Sequence, residues 1–201
     1  MKIYLASKSP ARRALLQQMG VEFDVLSLDV PEEMAPNETP EMYSKRVTTE
    51  KLHAAWDKIL NEKLTILPVL CADTEVVLEL EILGKPLDYQ HAFSMLKSYS
   101  GRSHQVITSV GLKYLAYEKI VTNTTTVYFA SMSDDDIHHY LATGNYKDKA
   151  GSYGIQSAIG QFIYKIDGCF YSVIGLPLNT VRELLVDVNL ICREPPPLSK
   201  A

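Results

Sequence analysis

A chain of 201 residues with 46% hydrophobic and 22% charged residues can fold throughout around its own core, which excludes a disordered chain and one that needs disulfide staples. A formal charge of −4 at pH 7 excludes a protein that coats nucleic acid through a broad basic face, yet leaves room for a small anion in a local basic pocket. Cys71, Cys169 and Cys192 stand far apart with no CxxC pair, as reduced thiols do.

In chain order, "KIYLA" alternates as a first strand and stops at Ser7. Ser9 and Pro10 supply an N-cap and a first-turn proline for a helix running to Met19, with Gly20 as its stop. "VPEEMAPNETP" is an acidic, proline-rich surface loop, and Thr39–Pro40 opens a second helix reaching Trp56 or Leu60. "ILPVLCADTEVVLELEIL" reads as two strands broken near Glu79–Glu81, and "DYQHAFSMLKSYSG" as a helix ending at Gly101. "HQVITSVGLKYL" and "EKIVTNTTTVYFA" read as paired strands, and "SDDDIHHYLATG" as a capped helix. The glycine-rich "KAGSYGIQSAIG" leads into "QFIYKIDGCFYSVIG", expected as strand, and "LPLNTVRELLVDVNL" as a last helix. The sum is an α/β fold, a mixed twisted sheet flanked by helices, with one domain over residues 1–190 and a flexible tail over 191–201. No segment reaches the roughly 20 apolar residues of a membrane helix, and the run before Ser7 is too short for a signal-peptide core, so a cytoplasmic protein is expected.

Four stretches carry chemistry. At "LASKSPARRALL" the free N–H groups and positive dipole end of a helix start stand beside Ser7, Ser9, Arg12 and Arg13, a set suited to phosphate; a capped helix with solvated arginines is the plainer reading. In "ADTEVV", Asp73 follows an apolar run at a buried strand, where a fixed carboxylate holds a divalent metal or takes a proton from water; Glu75 is the next residue on the same strand face. A turn aspartate capping local N–H groups is the alternative. In "ILGKPLD", Lys85 stands between Gly84, which permits an unusual backbone, and Pro86, as a point charge for a phosphate or as an ordinary turn lysine. "DKAGSYGIQS" combines permissive glycines, the flat face of Tyr153 and the amide of Gln156, able to read a base edge, in what is also a tight turn into a strand. His104, His138 and His139 have no metal-ligand spacing, and GxxxxGK[ST] and GxGxxG are both absent.

Taken in order from Tyr4 to Leu185, "LASKSPARRALL", "RVTTEKLHAA", "CADTEVV" with "ILGKP", "LKSYSGRSHQVITSV" and "DKAGSYGIQ" with "GLPL" resemble the Maf family of nucleoside triphosphate pyrophosphatases. The resemblance implies a fold like that of the inosine triphosphate pyrophosphatases, two lobes with a cleft, commonly as a homodimer. It implies hydrolysis of a nucleoside triphosphate between its α and β phosphates, with magnesium or manganese as cofactor; charge and hydropathy add the expectation of no nucleic-acid or membrane partner. Carried onto this sequence, Asp73 is the proton acceptor, and Lys85 acts beside it. Ser7, Arg12, Lys51 and Lys85 hold the phosphates with Ser9 and Arg13 alongside, and Thr74 and Gln156 lie near base and sugar. Asp73 and Glu33 are the metal candidates, with Glu50 as a further one. Thr74 matches the branch acting on dTTP and UTP, whereas Ala11 stands where that branch carries arginine; a methylated-GTP pyrophosphatase is the neighbouring alternative. Two more departures are "ELE" at Glu79–Glu81, in place of a glycine turn, and Ser157 after Gln156, in place of glycine. A nucleotide-binding regulator of cell division without turnover is the competing reading, to be told apart by binding without product.

Overall fold

The computed structural model describes residues 2–193, so the expected tail lies, from residue 194 on, outside the described residues. Strand β1 (Lys2–Leu5) leads into helix α1 (Pro10–Gln18), strand β2 (Glu22–Val25) and helix α2 (Pro40–Asn61). Strands β3 (Val69–Leu78) and β4 (Glu81–Ile82) form a hairpin followed by helix α3 (Tyr89–Tyr99). Strands β5 (Ser103–Tyr114) and β6 (Tyr117–Phe129), helix α4 (Asp134–Ala142), strand β7 (Ile163–Asp167) and helices α5 (Phe170–Ile174) and α6 (Leu178–Arg193) complete the chain. Among the described residues no helix is long and apolar enough to cross a membrane.

The helices begin where the sequence carries caps. Ser9, Thr39, Asp88 and Ser133 accept the N–H groups of Arg12, Met42, His91 and Asp136, and Ser133 with Asp136 closes a capping box. Each such cap stabilises its helix by about 1 kcal/mol.

The sheet runs β2-β1-β3-β5-β6-β7, with β4 paired to the far end of β3. It is mixed: β1 lies parallel to β2 and β3, and the remaining pairs are antiparallel. The register leaves a gap that matters for function. β1 pairs with β3 only at Val69 and Leu70, and β4 takes over only at Val77 and Leu78. Between them, Asp73, Thr74 and Glu75 stand on a strand whose β1-side edge has no strand partner.

Three apolar clusters fix this arrangement. Leu15 and Leu16 of α1, Leu70 and Ala72 of β3, and Val181 and Leu184 of α6 pack on one face of the sheet. Leu52, Ala55 and Ile59 of α2 cover Val69 and Cys71 on the other. At the far end Val76, Leu96, Tyr99, Val106, Phe129 and Ile137 form the third cluster.

The structure departs from the sequence reading in two places, and the expected break near Glu79–Glu81 is present as a turn. β2 was not expected; it is a short, largely exposed edge strand held by β1 alone, too polar to announce itself. The stretch from Gln161 to Gly175 is strand only over β7. Gly168 then turns the chain at φ +129, where a Cβ would meet Thr125 at 2.7 Å, and α5 follows. Its aromatic and β-branched residues favour a strand locally. The N–H of Cys169 donated to Thr125 Oγ1 at 3.0 Å and the hydroxyl of Thr108 donated to the Ser172 carbonyl at 2.8 Å fix a helical turn instead. The β3–β4 turn carries Glu79 at φ 51 and Leu80 at φ 74, left-handed conformations held without the glycine such a turn favours.

Candidate active site

Alternation along β3 sends neighbouring residues to opposite faces of the sheet, and the site is divided accordingly. Asp73 and Glu75 face α2. Thr74 faces α1 and the segment leading into α6.

On the α2 side, Lys51 Nζ lies 2.6 Å from Asp73 Oδ1 and 2.6 Å from Glu32 Oε1. Burial works to lower the Lys51 pKa, but attraction to Asp73 and Glu32 outweighs it and the ammonium is held above its ordinary value. Asp73 is 5% exposed, and its Oδ2 is buried out of reach of Lys51 and of any N–H donor. Beside it, Glu75 is pushed up to about 9 by burial and by the adjoining charge of Asp73, so at neutral pH it keeps its proton and donates a hydrogen bond to the Asp73 carboxylate. Tyr43 of α2 is raised by burial and by the charges of Glu75 and Asp73.

On the other side Arg12 organises a chain of neutral groups. Its Nε donates to the Gly175 carbonyl at 2.9 Å, Nη1 to Ser7 Oγ at 3.3 Å and Nη2 to Thr74 Oγ1 at 3.0 Å. Thr74 and Thr108 hydroxyls lie 3.0 Å apart, and Thr108 Oγ1 donates its proton to the Ser172 carbonyl at 2.8 Å. The direction of the chain follows: Thr74 donates to Thr108 and accepts from Arg12. Burial pulls the Arg12 pKa down, against the attraction of Asp73 and Glu32.

Each expected residue has a definite place. Ser7 is buried in the turn after β1, its Oγ accepting the Ser9 N–H at 3.2 Å as well as Arg12. Ser9 caps α1, and the exposed Arg13 donates to the Lys8 carbonyl at 3.4 Å. Ala11, half-buried, lies in the first turn of α1 beside Arg12. Lys85 and Gln156 are exposed, and the backbone brings their loops together: Leu83 N–H bonds the Val76 carbonyl at 2.7 Å, and Gly151 N–H lies 2.9 Å from the Leu83 carbonyl and 3.0 Å from that of Gly84. Gly151 permits this docking at φ +65, where a Cβ would meet Tyr99 Oη at 2.7 Å. Gly84 itself shows no left-handed φ, so the permissive backbone belongs to the docking loop.

Other residues lie elsewhere than expected. Tyr153 offers no face to a base: it is 6% exposed, packs edge-on against Phe129 and His104, and holds His104 Nε2 at 2.6 Å through its hydroxyl. Glu33 turns its backbone carbonyl to Arg46 at 2.9 Å, and Glu50 pairs with Arg46 at 3.0 Å; Glu32 is the loop carboxylate that reaches Lys51. Ser157 closes its own turn by donating to the Gly154 carbonyl at 2.6 Å. Sequence reasoning missed Glu32, Thr108 and Gly175. Only the acidity of the loop before α2 signalled the first, and nothing local signalled the others.

Among the described residues no group of three or more His, Cys, Asp or Glu side chains is arranged to hold a metal. The donor chemistry nevertheless fits a hard cation shared with a ligand, because magnesium is ordinarily held by one or two carboxylates together with substrate phosphates, and Asp73 is one carboxylate with Glu32 across the shared Lys51.

The fold and the site define an α/β protein with a carboxylate and an arginine on opposite sides of an open strand segment. The solved structure of the Staphylococcus aureus Ham1 protein shares this fold, with a TM-score of 0.53 at 14% identity over 94% of this chain and 100% of that one. The chain belongs to the Maf family: the model described as Maf-like protein matches residues 2–188. It is similar to the dTTP/UTP pyrophosphatase of Nitrosomonas europaea, 43% identical over 94% of this chain and 95% of that protein. It is also 45% identical to the Aliivibrio fischeri dTTP/UTP pyrophosphatase, over 92% of this chain and 96% of the relative.

Proposed function

We propose that the protein is a nucleoside triphosphate pyrophosphatase that hydrolyses dTTP and UTP between the α and β phosphates, giving a nucleoside monophosphate and pyrophosphate. The observation that carries this reading is Asp73: a buried carboxylate with one oxygen fixed by Lys51 at 2.6 Å, standing beside the open strand edge. The names of relatives at 43% and 45% identity supply the pyrimidine substrates.

In this reading the triphosphate lies along the gap in the sheet. Arg12 has committed three of its N–H directions to Gly175, Ser7 and Thr74, which orients the guanidinium and leaves two N–H groups for a phosphate. Lys51 exchanges Glu32 for a phosphate oxygen while keeping Asp73, and Lys85 and Arg13 add positive charge from the exposed rims. The oxygen of a water molecule joins the α-phosphorus and its proton passes to Asp73. The bond from that phosphorus to the bridging oxygen breaks, and pyrophosphate departs. Positioning and charge neutralisation carry most of such a transfer. A magnesium or manganese ion held by Asp73 and the phosphate oxygens would supply further neutralisation. Gln156 and Thr74 are the candidates for contact with base and sugar, and Ala11 puts a small side chain where the pyrimidine branch carries arginine.

The same reading includes pairing of two copies and a cytoplasmic setting, which rest on the family likeness; sedimentation of the purified protein tests the pairing. The central test offers UTP, dTTP and methylated GTP with magnesium to the wild-type protein and to Asp73→Asn. Pyrophosphate from UTP and dTTP above the Asp73→Asn level supports the reading. No release above that level overturns it, and preference for methylated GTP moves the substrate to the neighbouring branch. Repeating the panel on Ala11→Arg tests position 11 directly.

A further inference from the structure

We propose, on the reading above that the site takes a nucleoside triphosphate, that the Tyr99 and Tyr153 hydroxyls are positioning groups. Buried in the far cluster of the core, they set Lys85 and Gln156 together against β3, the strand of Asp73 and Thr74.

Lys85 and Gln156 are exposed, so the backbone beneath each decides where its side chain can reach. Lys85 directly follows Gly84, whose carbonyl lies 3.0 Å from the Gly151 N–H; the same N–H donates to the Leu83 carbonyl at 2.9 Å, and the Leu83 N–H to the Val76 carbonyl of β3 at 2.7 Å. Gln156 stands in the turn that Ser157 closes on the Gly154 carbonyl, through its N–H at 2.9 Å and its hydroxyl at 2.6 Å. That turn begins directly after Tyr153. One short segment, residues 151–156, therefore ties both side chains to the same strand.

Two phenols hold the segment. Tyr99 of α3 is fully buried and donates to the Gly151 carbonyl at 3.2 Å. The Tyr153 hydroxyl lies 2.6 Å from His104 Nε2 of β5, and the Tyr99 and His104 rings pack with centroids 4.4 Å apart. The backbone they hold is strained. Ser152, between the two anchor points, stands at φ 64, a left-handed conformation uncommon for a residue with a side chain, and Asp148 precedes it at φ 59. Ser152 is kept there by donating its buried hydroxyl to Met95 Sδ at 3.0 Å. Such strain persists only where the surroundings over-determine it, and it clusters at sites that clamp a ligand. Phenylalanine at positions 99 and 153 would fill the same space. What the two hydroxyls add is direction, and what they direct is the backbone that carries Lys85 and Gln156.

The test is a mutant cycle read in binding, which needs no turnover. Calorimetry on the full-length protein measures affinity for the α,β-methylene analogue of UTP with magnesium. Tyr99→Phe and Tyr153→Phe are each compared in the wild-type background and in the double variant Lys85→Ala, Gln156→Ala. In the wild-type background each lost hydroxyl is expected to weaken binding about fivefold. In the double variant the same substitutions are expected to change it by less than about twofold, because the groups they position are gone. A purely structural role would weaken binding by equal factors in both backgrounds, and that result overturns the proposal. So does an affinity that neither substitution changes, or a wild-type protein that binds no analogue. The two substitutions remove separate hydrogen bonds, so each hydroxyl is judged on its own cycle, and one decides should the other variant fail to fold. Pyrophosphate release is measured separately. A protein that releases it yet shows equal factors keeps the pyrophosphatase reading and loses this one; coupled factors without release keep this one and lose the pyrophosphatase.

Discussion

Asp73 and Thr74 are adjacent in sequence, yet the two faces of β3 on which they stand solve burial in opposite ways. On the Thr74 side every step is a hydrogen bond with a defined direction, from Arg12 through Thr74 and Thr108 to the Ser172 carbonyl. On the Asp73 side two carboxylates, Asp73 and Glu32, share one lysine, and Glu75, pushed up to about 9, meets Asp73 only by keeping its proton. Along the chain from Arg12 to the Ser172 carbonyl the groups are satisfied within the protein and act as scaffold, although the Ser172 hydroxyl beside it is buried without a partner. The Asp73 side is left incomplete, which is what a site that receives water, cation and phosphate requires, because groups already satisfied have little to offer a ligand.

The largest expected effect comes from the incomplete face. Asp73→Asn keeps the shape of the side chain but removes the proton acceptor and weakens the pair with Lys51. Pyrophosphate release should fall by about a thousandfold, within the range by which a positioned general base contributes. Initial rates with UTP at saturating magnesium measure this. A fall of less than about tenfold would mean that another group takes the proton, and the contrast between the faces would lose its chemical meaning.

A buried group outside both faces supplies a control for burial alone. His104 of β5 is 3% exposed, and burial lowers its pKa to about 4 from 6.5, so it is held neutral against Tyr153. The folded-state value lies below the unfolded one, so the unfolded chain binds the extra proton first. Stability is therefore unaffected above about pH 6.5 and falls as pH drops from there toward 4, by on the order of 3 kcal/mol. Urea denaturation across that window should show the loss. His104→Gln, which keeps a hydrogen-bonding side chain and does not titrate, should flatten this contribution. An unchanged slope would place the acid sensitivity elsewhere.

How much of this was legible along the chain depends on how far apart the partners are. Helix starts were readable because a cap and its N–H group are three residues apart, as at Ser9 and Arg12 or Thr39 and Met42. Asp73 was readable because an apolar run leads to it. Arg12 could be seen as a donor, but its acceptor at Gly175 lies far along the chain, and only the assembled sheet joins them. The same distance hides Tyr153, whose aromatic ring suits a base as well as a core until His104 and Phe129 are seen around it. Glu32 and Glu33 are chemically equivalent in the sequence. The path of the loop, clamped by Arg46 to the Glu33 carbonyl and to Glu38, decides which of them meets Lys51.

The satisfied face makes the smaller and more graded prediction. Thr74→Val is nearly isosteric, yet it removes the acceptor of Arg12 Nη2 and the donor to Thr108 in one step. Leaving those buried groups unpaired should cost about 2 kcal/mol. Thr74→Ser keeps the hydroxyl and removes only a methyl group, and its cost should stay near 1 kcal/mol or below. Denaturation midpoints of the two variants measure the difference. KM for UTP should follow the same order, because an Arg12 that loses Thr74 keeps its charge but not its orientation. If Val and Ser destabilise equally, the methyl group rather than the hydroxyl chain is what Thr74 contributes. The two faces of β3 would then differ in charge alone and not in how completely their polar groups are satisfied.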